Sequence, residues 1–251
     1  MADVKKKGLN TDANSYTIIY AAVLVIVVAF VLAFVSQSLK KTQDANVALD
    51  KKKQVIAALN IHDLSDEESD ARYKEVVKAD MIIDLDGNVV EEGTEGGEEA
   101  GFTLNSSDYK AGKLAIFVCE VDGQTKYVLP VYGMGLWGSI WGYIGVDDDC
   151  NTVFGAYFNH DSETAGLGAE IKDSREWQSR FRGKTIYSLT DDGMFDDVLL
   201  AVKKNVASPD NEVDAVTGAT LTCDGVTNML ADGMEKYKTY LTSKRGGQTN
   251  E

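Results

Sequence analysis

The sequence predicts an α+β protein in which a single N-terminal transmembrane helix precedes one domain of antiparallel strands flanked by helices. Residues 16–35 contain no charged side chain. Short apolar runs later in the chain are separated by turn-forming residues, as in β-hairpins. Segments with apolar residues at helical spacing lie before and after these runs, which is the order expected of an α+β domain.

The segment 16–36 is predicted to cross a membrane as a helix. Its uncharged residues 16–35 would rise about 30 Å as a helix, which matches the bilayer core. A cleaved signal peptide is the alternative, because Ser36, Gln37 and Ser38 would allow cleavage, but the apolar run is longer than the usual core of such a peptide. Lysines lie on both sides of the segment, so positive charge does not determine its orientation.

The chain is predicted to divide into an N-terminal tail (1–15), the transmembrane helix (16–36), a juxtamembrane helix (37–60), one folded domain (61–245) and a disordered tail (246–251). The juxtamembrane segment carries apolar residues at helical spacing after a polar start. A further helix is predicted over 65–77. It begins with Ser65 as N-cap, and Glu68 completes a capping box.

Three hairpins are predicted in the middle of the domain, with turns at Asp86 and Gly87, at Asp122 and Gly123, and at the acidic residues 147–149. The acidic residues around the first turn resemble a calcium loop. Val89 occupies the loop position that requires glycine, however, so a hairpin turn is predicted there instead. The last helix is predicted from Val226, where apolar residues follow helical spacing.

Composition excludes several functions. The formal net charge is −15 and no basic stripe is present, so nucleic-acid binding is not expected. The two histidines exclude a multi-histidine metal site, and no metal site is predicted. The three cysteines are too far apart for a zinc ribbon or a redox pair, and Cys119 lies in an apolar run typical of a buried thiol. No GxGxxG motif lies between a strand and a helix, so a nicotinamide site is not expected in this chain.

Three segments carry candidate binding chemistry. Residues 132–145 alternate glycines with large aromatics, which suits either stacking on a planar ring or a tightly packed strand pair. Residues 160–171 contain Gly-Leu-Gly, a turn whose amides could face a ligand. Residues 214–222, DAVTGATLT, place hydroxyls before a helix. These hydroxyls either cap that helix or put Thr222 where a phosphate would meet free N–H groups.

Together, YGMGLW, HDSETAGLG and DAVTGATLT resemble the three signatures of the FMN-binding domain in the C subunit of the sodium-translocating NADH:quinone reductase. The stretch QDANVALDKKKQVIAAL before the domain is also similar to that protein, so the resemblance runs from the membrane segment to the last helix. The sequence departs from the family pattern in two places. Ala165 replaces the usual proline before Gly-Leu-Gly, while Thr217 and Cys223 replace serines in the third signature.

The resemblance implies that FMN is joined by a phosphoester to Thr222 and that no side chain is catalytic. The residues implied to bind the cofactor are Leu136, Trp137, Glu163, Thr164, Leu167, Asp214, Gly218, Ala219 and Thr220. Those of the second signature would contact the isoalloxazine ring, and those of the first would form a wall of the same pocket. Those of the third complete a motif that a flavin transferase using FAD and magnesium would read.

The resemblance further implies a phosphoester-modified, single-pass protein of the bacterial inner membrane, with its domain on the periplasmic side and the other membrane subunits as partners. The flavin would relay electrons within a complex that oxidises NADH, reduces ubiquinone and pumps sodium ions. One alternative is the flavin subunit of the related ferredoxin:NAD oxidoreductase ion pump, which shares the third signature and a membrane anchor. Another, of a different class, is an anchored extracytoplasmic binding module without a redox role.

Overall fold

A computed structural model describes residues 14–248 of the chain. The predicted N-terminal tail, 1–15, lies outside the described residues except at positions 14 and 15, which are helical. Residues 249–251 of the predicted disordered tail also lie outside them. From Leu49 onward the chain forms one compact unit.

The helices are α1 (Asn14–Ala57), α2 (Asp66–Val76), α3 (Ser106–Lys110), α4 (Glu170–Asp173), α5 (Arg175–Ser179) and α6 (Thr220–Gln248), with a 3-10 helix at Gly101–Thr103. The strands are β1 (Val77–Ile83), β2 (Val89–Glu91), β3 (Leu114–Val121), β4 (Gln124–Met134), β5 (Ser139–Val146), β6 (Val153–His160), β7 (Tyr187–Leu189), β8 (Phe195–Val198), β9 (Ala201–Lys203) and β10 (Glu212–Asp214). Strands β1 to β6 form one antiparallel sheet in the order β2-β1-β3-β4-β5-β6. The α+β class predicted from the sequence is confirmed.

Helix α1 is continuous where the sequence suggested two segments, 16–36 and 37–60. It contains no glycine or proline, so nothing in the polar part interrupts the backbone hydrogen bonds. By length and composition its N-terminal part is able to cross a membrane, and the apolar side chains of that part are exposed. The helix ends at Ala57, before the predicted boundary at residue 60.

The local features predicted between residues 61 and 134 are confirmed. The Ser65 hydroxyl accepts the N–H of Glu68 at 3.3 Å, and the Glu68 carboxylate accepts the N–H of Ser65 at 2.9 Å, which is the expected capping box. The first two hairpin turns have Gly87 and Gly123 at φ of 80° and 74°. These backbone angles favour glycine, as the turn predictions assumed. Cys119 is buried in β3, as predicted.

Helix α6 packs on the central strands of the main sheet, and its apolar side chains complete the core. The hydroxyl of Tyr237 lies 2.8 Å from the carbonyl oxygen of Pro130 and 3.1 Å from that of Ala115. The helix also comes close to the end of β4, because a Cβ added at Gly225 would lie 2.3 Å from the carbonyl oxygen of Met134. Glycine at this position is therefore required by the approach of the two backbones.

The start and the end of α6 differ from the prediction. The helix begins at Thr220 rather than Val226, so Thr220 and Thr222 lie in its first turn. The first residues of the helix include threonine, cysteine, aspartate and glycine, which are weak helix formers, so the sequence did not indicate this turn. The close approach of Gly225 to the end of β4 positions this end of the helix on the sheet. At the other end α6 continues through Gln248, into the segment 246–251 that was predicted to be disordered.

Two small strand pairs between β6 and α6 were not predicted. Strands β7 and β8 pair antiparallel, while β9 and β10 pair in parallel. These strands have three or four residues each, which is too short to show a period of two in the sequence. The parallel pair matters for the site, because β10 ends at Asp214 and only residues 215–219 separate it from α6.

Candidate functional site

The three segments singled out in the sequence meet around the first turn of α6. Residues 135–138 connect β4 to β5, and residues 161–169 follow β6. The side chain of Glu163 bridges them to the helix, because it contacts both Trp137 and Thr222. The resemblance implied that the first two segments share one pocket, and in the structure Glu163 connects both of them to the start of α6.

A hydrogen bond between Thr222 and Glu163 lies at the centre of the site. The Thr222 hydroxyl donates to Oε2 of Glu163 at 2.6 Å. This distance is typical of a hydroxyl that donates to an ionised carboxylate. Both residues are buried, with only 2 % of Thr222 and 7 % of Glu163 exposed. The hydroxyl therefore has a fixed partner that is a charged group rather than a backbone atom.

The Glu163 carboxylate is held in its ionised form. Burial would raise the pKa of Glu163, but hydrogen bonds from the Thr222 hydroxyl and from backbone N–H groups outweigh it, so the pKa lies below its ordinary value. The N–H groups belong to Leu136, Trp137 and Gly138, and that of Trp137 donates to Oε1 at 2.9 Å. Within residues 14–248 no cation forms an ion pair with this carboxylate, so hydrogen bonds alone compensate its charge.

Two glycines pack against the pair so closely that no side chain fits. A Cβ added at Gly135 would lie 2.5 Å from Oε1 of Glu163. A Cβ added at Gly168 would lie 2.5 Å from Oε2 of Glu163 and 2.6 Å from the hydroxyl oxygen of Thr222. Sequence analysis noted both glycines only as parts of motifs. Glycine is required at both positions because the backbone there lies against the Glu163 carboxylate and, at Gly168, also against the Thr222 hydroxyl.

The first turn of α6 leaves backbone donors unused beside the Thr222 hydroxyl. The first turn of a helix has N–H groups without an intrahelical acceptor. Those of Thr220, Leu221 and Thr222 donate no hydrogen bond to another residue within 14–248, and the first bond into the turn runs from the N–H of Cys223 to the carbonyl of Ala219 at 2.9 Å. An anion at this position would therefore meet free donors and the positive end of the helix dipole.

Exposed apolar side chains surround the buried pair. Leu136, Trp137 and Leu167 expose 47 %, 67 % and 41 % of their surface. Leu221, in the first turn of α6, exposes 60 %. Isolated exposed apolar residues are common, but a group of them around a buried polar pair marks a binding surface. A flat, largely apolar ligand would cover them.

Gly218 and Ala219 bring the second and third segments into contact. Gly218 has φ of 79°, and a Cβ added there would lie 2.8 Å from Cδ2 of Leu167. Ala219 is buried directly before the helix. Thr220 is exposed at the start of the helix, and its hydroxyl makes no hydrogen bond within residues 14–248. Glycine is thus needed at 218 for the two segments to meet.

The side chains of Asp214 and Thr164 are exposed, and these residues contact the site through their backbone carbonyls. The carbonyl of Thr164 accepts the N–H groups of Leu167 and Ala169, each at 3.1 Å, and so closes the turn of the second segment. The carbonyl of Asp214 accepts Nε1 of Trp177 at 2.7 Å. Trp177 was missed in the sequence analysis, since its role is visible only through this contact.

Two neighbouring groups of the site have structural roles. Nδ1 of His160 accepts the N–H of Glu163 at 3.1 Å and so fixes the backbone that carries the carboxylate. The thiol of Cys223 is buried and accepts the N–H of Val216 at 3.3 Å. Burial raises the pKa of Cys223, so this thiol remains protonated and secures the loop before α6. Within residues 14–248, no group of three or more metal-binding side chains is positioned to hold a metal ion.

A family model described as the FMN-binding domain matches residues 135–235. This range begins at the glycine that contacts Glu163 and includes the first turn of α6. The C subunit of the Na(+)-translocating NADH-quinone reductase from Haemophilus ducreyi is 32 % identical over 239 residues, which cover 87 % of this chain and 89 % of that protein. The same protein from Pseudomonas aeruginosa is 27 % identical, with 95 % of this chain and 99 % of that protein covered.

Solved structures agree with these sequence comparisons. The crystal structure of the C subunit of the Na(+)-translocating NADH-quinone reductase from Parabacteroides distasonis has a TM-score of 0.72 and 35 % identity, and the match covers 81 % of this chain and 97 % of that chain. NqrC of Shewanella oneidensis has a TM-score of 0.62 at 26 % identity, and the match covers 80 % of this chain and 99 % of that chain. The chain therefore belongs to the family formed by the C subunits of Na(+)-translocating NADH-quinone reductases.

Proposed function

We propose that this chain is the flavoprotein subunit of a sodium-translocating NADH-quinone reductase and that FMN is attached to Thr222 through a phosphoester. The observation that carries the proposal is the position of the Thr222 hydroxyl, buried against Glu163 in the first turn of α6. A threonine that only capped the helix would bond to a backbone N–H. Thr222 instead donates to a carboxylate from a distant segment, beside unused backbone donors.

The residues at the site suit each part of FMN. The N–H groups of Thr220 and Leu221 and the helix dipole favour a phosphate at Thr222. The exposed side chains of Leu136, Trp137 and Leu167 offer apolar surface to a planar ring. Gly218 and Ala219 keep the space between these two regions free of bulky side chains.

In this proposal the bound flavin supplies the electron-transfer chemistry. The residues of the chain hold the phosphate, cover the ring and exclude water from it. No side chain takes part in the redox step, and none of the described residues forms a nicotinamide site of the GxGxxG type. NADH oxidation would then belong to another protein of the complex, and this chain would relay electrons within it.

The remaining parts of the proposal concern maturation and location. A flavin transferase would read the motif at 214–222 and donate FMN from FAD. Helix α1 would anchor the chain in the bacterial inner membrane over 16–36, because it is long and apolar enough to do so. The FMN-binding domain, 61–245, would lie on the periplasmic side, in contact with the other membrane subunits of the complex.

The test is covalent flavin that remains after denaturation. The full-length chain is co-expressed with a flavin transferase, denatured and separated on a gel, and the band is examined for flavin fluorescence. Intact mass should increase by FMN less water, and the added mass should map to the peptide that contains Thr222. The substitution Thr222→Val should give a dark band of unmodified mass, while Thr222→Ser retains a hydroxyl and should still accept flavin.

A dark wild-type band, with the transferase active on another acceptor, would refute the proposal and favour a binding module without flavin. Retention of covalent flavin by the Thr222→Val variant would move the attachment to another residue. Loss of NADH-dependent quinone reduction on deletion of the gene would separate the proposed complex from the ferredoxin-dependent ion pump.

A further inference from the structure

We propose that Glu163 accepts the proton of the Thr222 hydroxyl when the flavin phosphate is attached, so that the acceptor chain activates its own modified residue. This inference rests on the proposed function, because it assumes that Thr222 is the attachment point. It adds a role for Glu163 that differs from contact with the flavin ring. The role concerns a maturation step that precedes electron transfer.

The geometry is that of a nucleophile and its proton acceptor. Oε2 of Glu163 lies 2.6 Å from the Thr222 hydroxyl oxygen, within the range expected for a general base and the proton it removes. A second oxygen, Oε1, is held by the N–H of Trp137. The carboxylate is therefore fixed by the loop that joins β4 and β5, and one oxygen remains directed at Thr222.

A purely structural hydrogen bond would not require a charge at this position. Glu163 is almost fully buried, and no ion pair compensates its charge within residues 14–248. A neutral glutamine at this position would also be able to hydrogen bond to Thr222 and to the N–H of Trp137, so these bonds alone do not explain a charged residue here. Gly135 and Gly168 leave room for the carboxylate because neither residue has a side chain. The site thus keeps an ionised group facing a hydroxyl that is to become a nucleophile.

The attachment step balances with this assignment. The Thr222 oxygen forms a bond to the phosphorus of the flavin phosphate in FAD, and the bond from that phosphorus to the oxygen of the leaving AMP breaks. The hydroxyl proton moves from Thr222 to Oε2 of Glu163, and AMP leaves with the electron pair of the broken bond. No oxidation or reduction occurs. An aspartate has the same role toward the substrate hydroxyl in protein kinases.

Attachment of the flavin phosphate would also remove the hydrogen bond from Thr222 to Glu163. Once esterified, the Thr222 oxygen has no proton to donate, and it belongs to a negatively charged phosphodiester. The negative charge of this phosphodiester would lie beside Glu163 and would disfavour the ionised form of its carboxyl group. The proton gained in the step is therefore retained more readily than before, and the Glu163 carboxyl changes from acceptor to donor. The groups that face it are the Thr222 hydroxyl and three backbone N–H groups, and the His160 ring bonds to its backbone.

The test compares initial rates of flavin attachment to the purified full-length chain in detergent, with purified transferase, FAD and Mg²⁺. The substitution Glu163→Gln keeps the shape of the side chain, and its amide is able to hydrogen bond to Thr222 and Trp137. We expect its rate at saturating acceptor to fall about 100-fold, the usual contribution of a general base. The acceptor concentration at half-maximal rate should not change. Glu170→Gln is the control, because the Glu170 carboxylate makes no hydrogen bond or ion pair within residues 14–248.

A wild-type rate for a folded Glu163→Gln chain would overturn the inference and leave the attachment to Thr222 intact. No attachment to the wild-type chain would instead overturn the proposed function. If Glu163→Gln does not fold, Glu163→Ala is assayed with and without added formate. Restoration of the rate by formate supports proton transfer to a carboxylate, and a rate that does not respond to formate overturns it.

Discussion

Substitution of Gly168 by alanine tests the packing on which the site depends. The added Cβ would lie 2.5 Å from Oε2 of Glu163 and 2.6 Å from the Thr222 hydroxyl oxygen, well inside van der Waals contact. Neither atom is the end of a freely moving chain, since each is fixed by their mutual hydrogen bond. Overpacking of this kind costs about 1–3 kcal/mol. For a domain of this size each kcal/mol lowers Tm by about 2–4 °C, so a decrease of about 2–12 °C is expected.

The assay measures Tm and the rate of covalent flavin attachment for the same Gly168→Ala preparation. Gly166→Ala is the matched control in the same loop. There an added Cβ meets no atom within 4 Å, although φ is 72° and strains a non-glycine residue. We expect attachment to fall more than tenfold in Gly168→Ala and to remain near the wild-type rate in Gly166→Ala. An unchanged Tm and rate in Gly168→Ala, or equal losses in both variants, would refute the reasoning.

Three other predictions follow from the structure. The buried Asp80 carboxylate accepts the N–H groups of Thr94, Ala100 and Phe102. In Asp80→Asn the amide NH₂ would leave one of these N–H groups without an acceptor, so the free energy of unfolding, measured by chemical denaturation, should fall by about 2–4 kcal/mol. The exposed aromatic wall formed by Trp137 should quench flavin bound nearby, so Trp137→Ala should raise flavin fluorescence per covalent flavin while stability changes by less than about 0.5 kcal/mol. Burial raises the pKa of Tyr132 to about 12, from 10 in the unfolded chain. The free energy of unfolding should therefore fall as pH rises from 10 to 12, and unfolding curves recorded at pH 9 and pH 11 check this.

Local patterns in the sequence were sufficient for the larger elements. The capping box at Ser65 and the paired turn residues at Gly87 and Gly123 specify their structures within a few positions, and the structure confirms them. The apolar spacing from Val226 onward likewise indicated the last helix. These features depend on short-range sterics and hydrogen bonds, which a single sequence contains.

The central contact of the site depends on long-range packing and was not predictable in the same way. Glu163 and Thr222 are 59 positions apart in the chain, and nothing in either segment indicates the other as partner. The first turn of α6 was missed because its residues have low helix propensity, while the approach of Gly225 to β4 joins segments that are distant in the sequence. Trp177 was missed for a related reason, since it acts only through the carbonyl of Asp214.

The burial of Thr222 would limit when the proposed attachment of flavin can occur. Gly168 lies over the Thr222 hydroxyl and only 2 % of Thr222 is exposed, so in the proposed maturation a transferase would reach the hydroxyl only after the segment 164–168 moves away. Each additional 1.4 kcal/mol or so in the free energy of this opening reduces the open fraction tenfold. The rate of the proposed flavin attachment would then be set by the frequency of this local opening. A substitution that makes this segment more rigid would delay maturation even though it stabilises the fold.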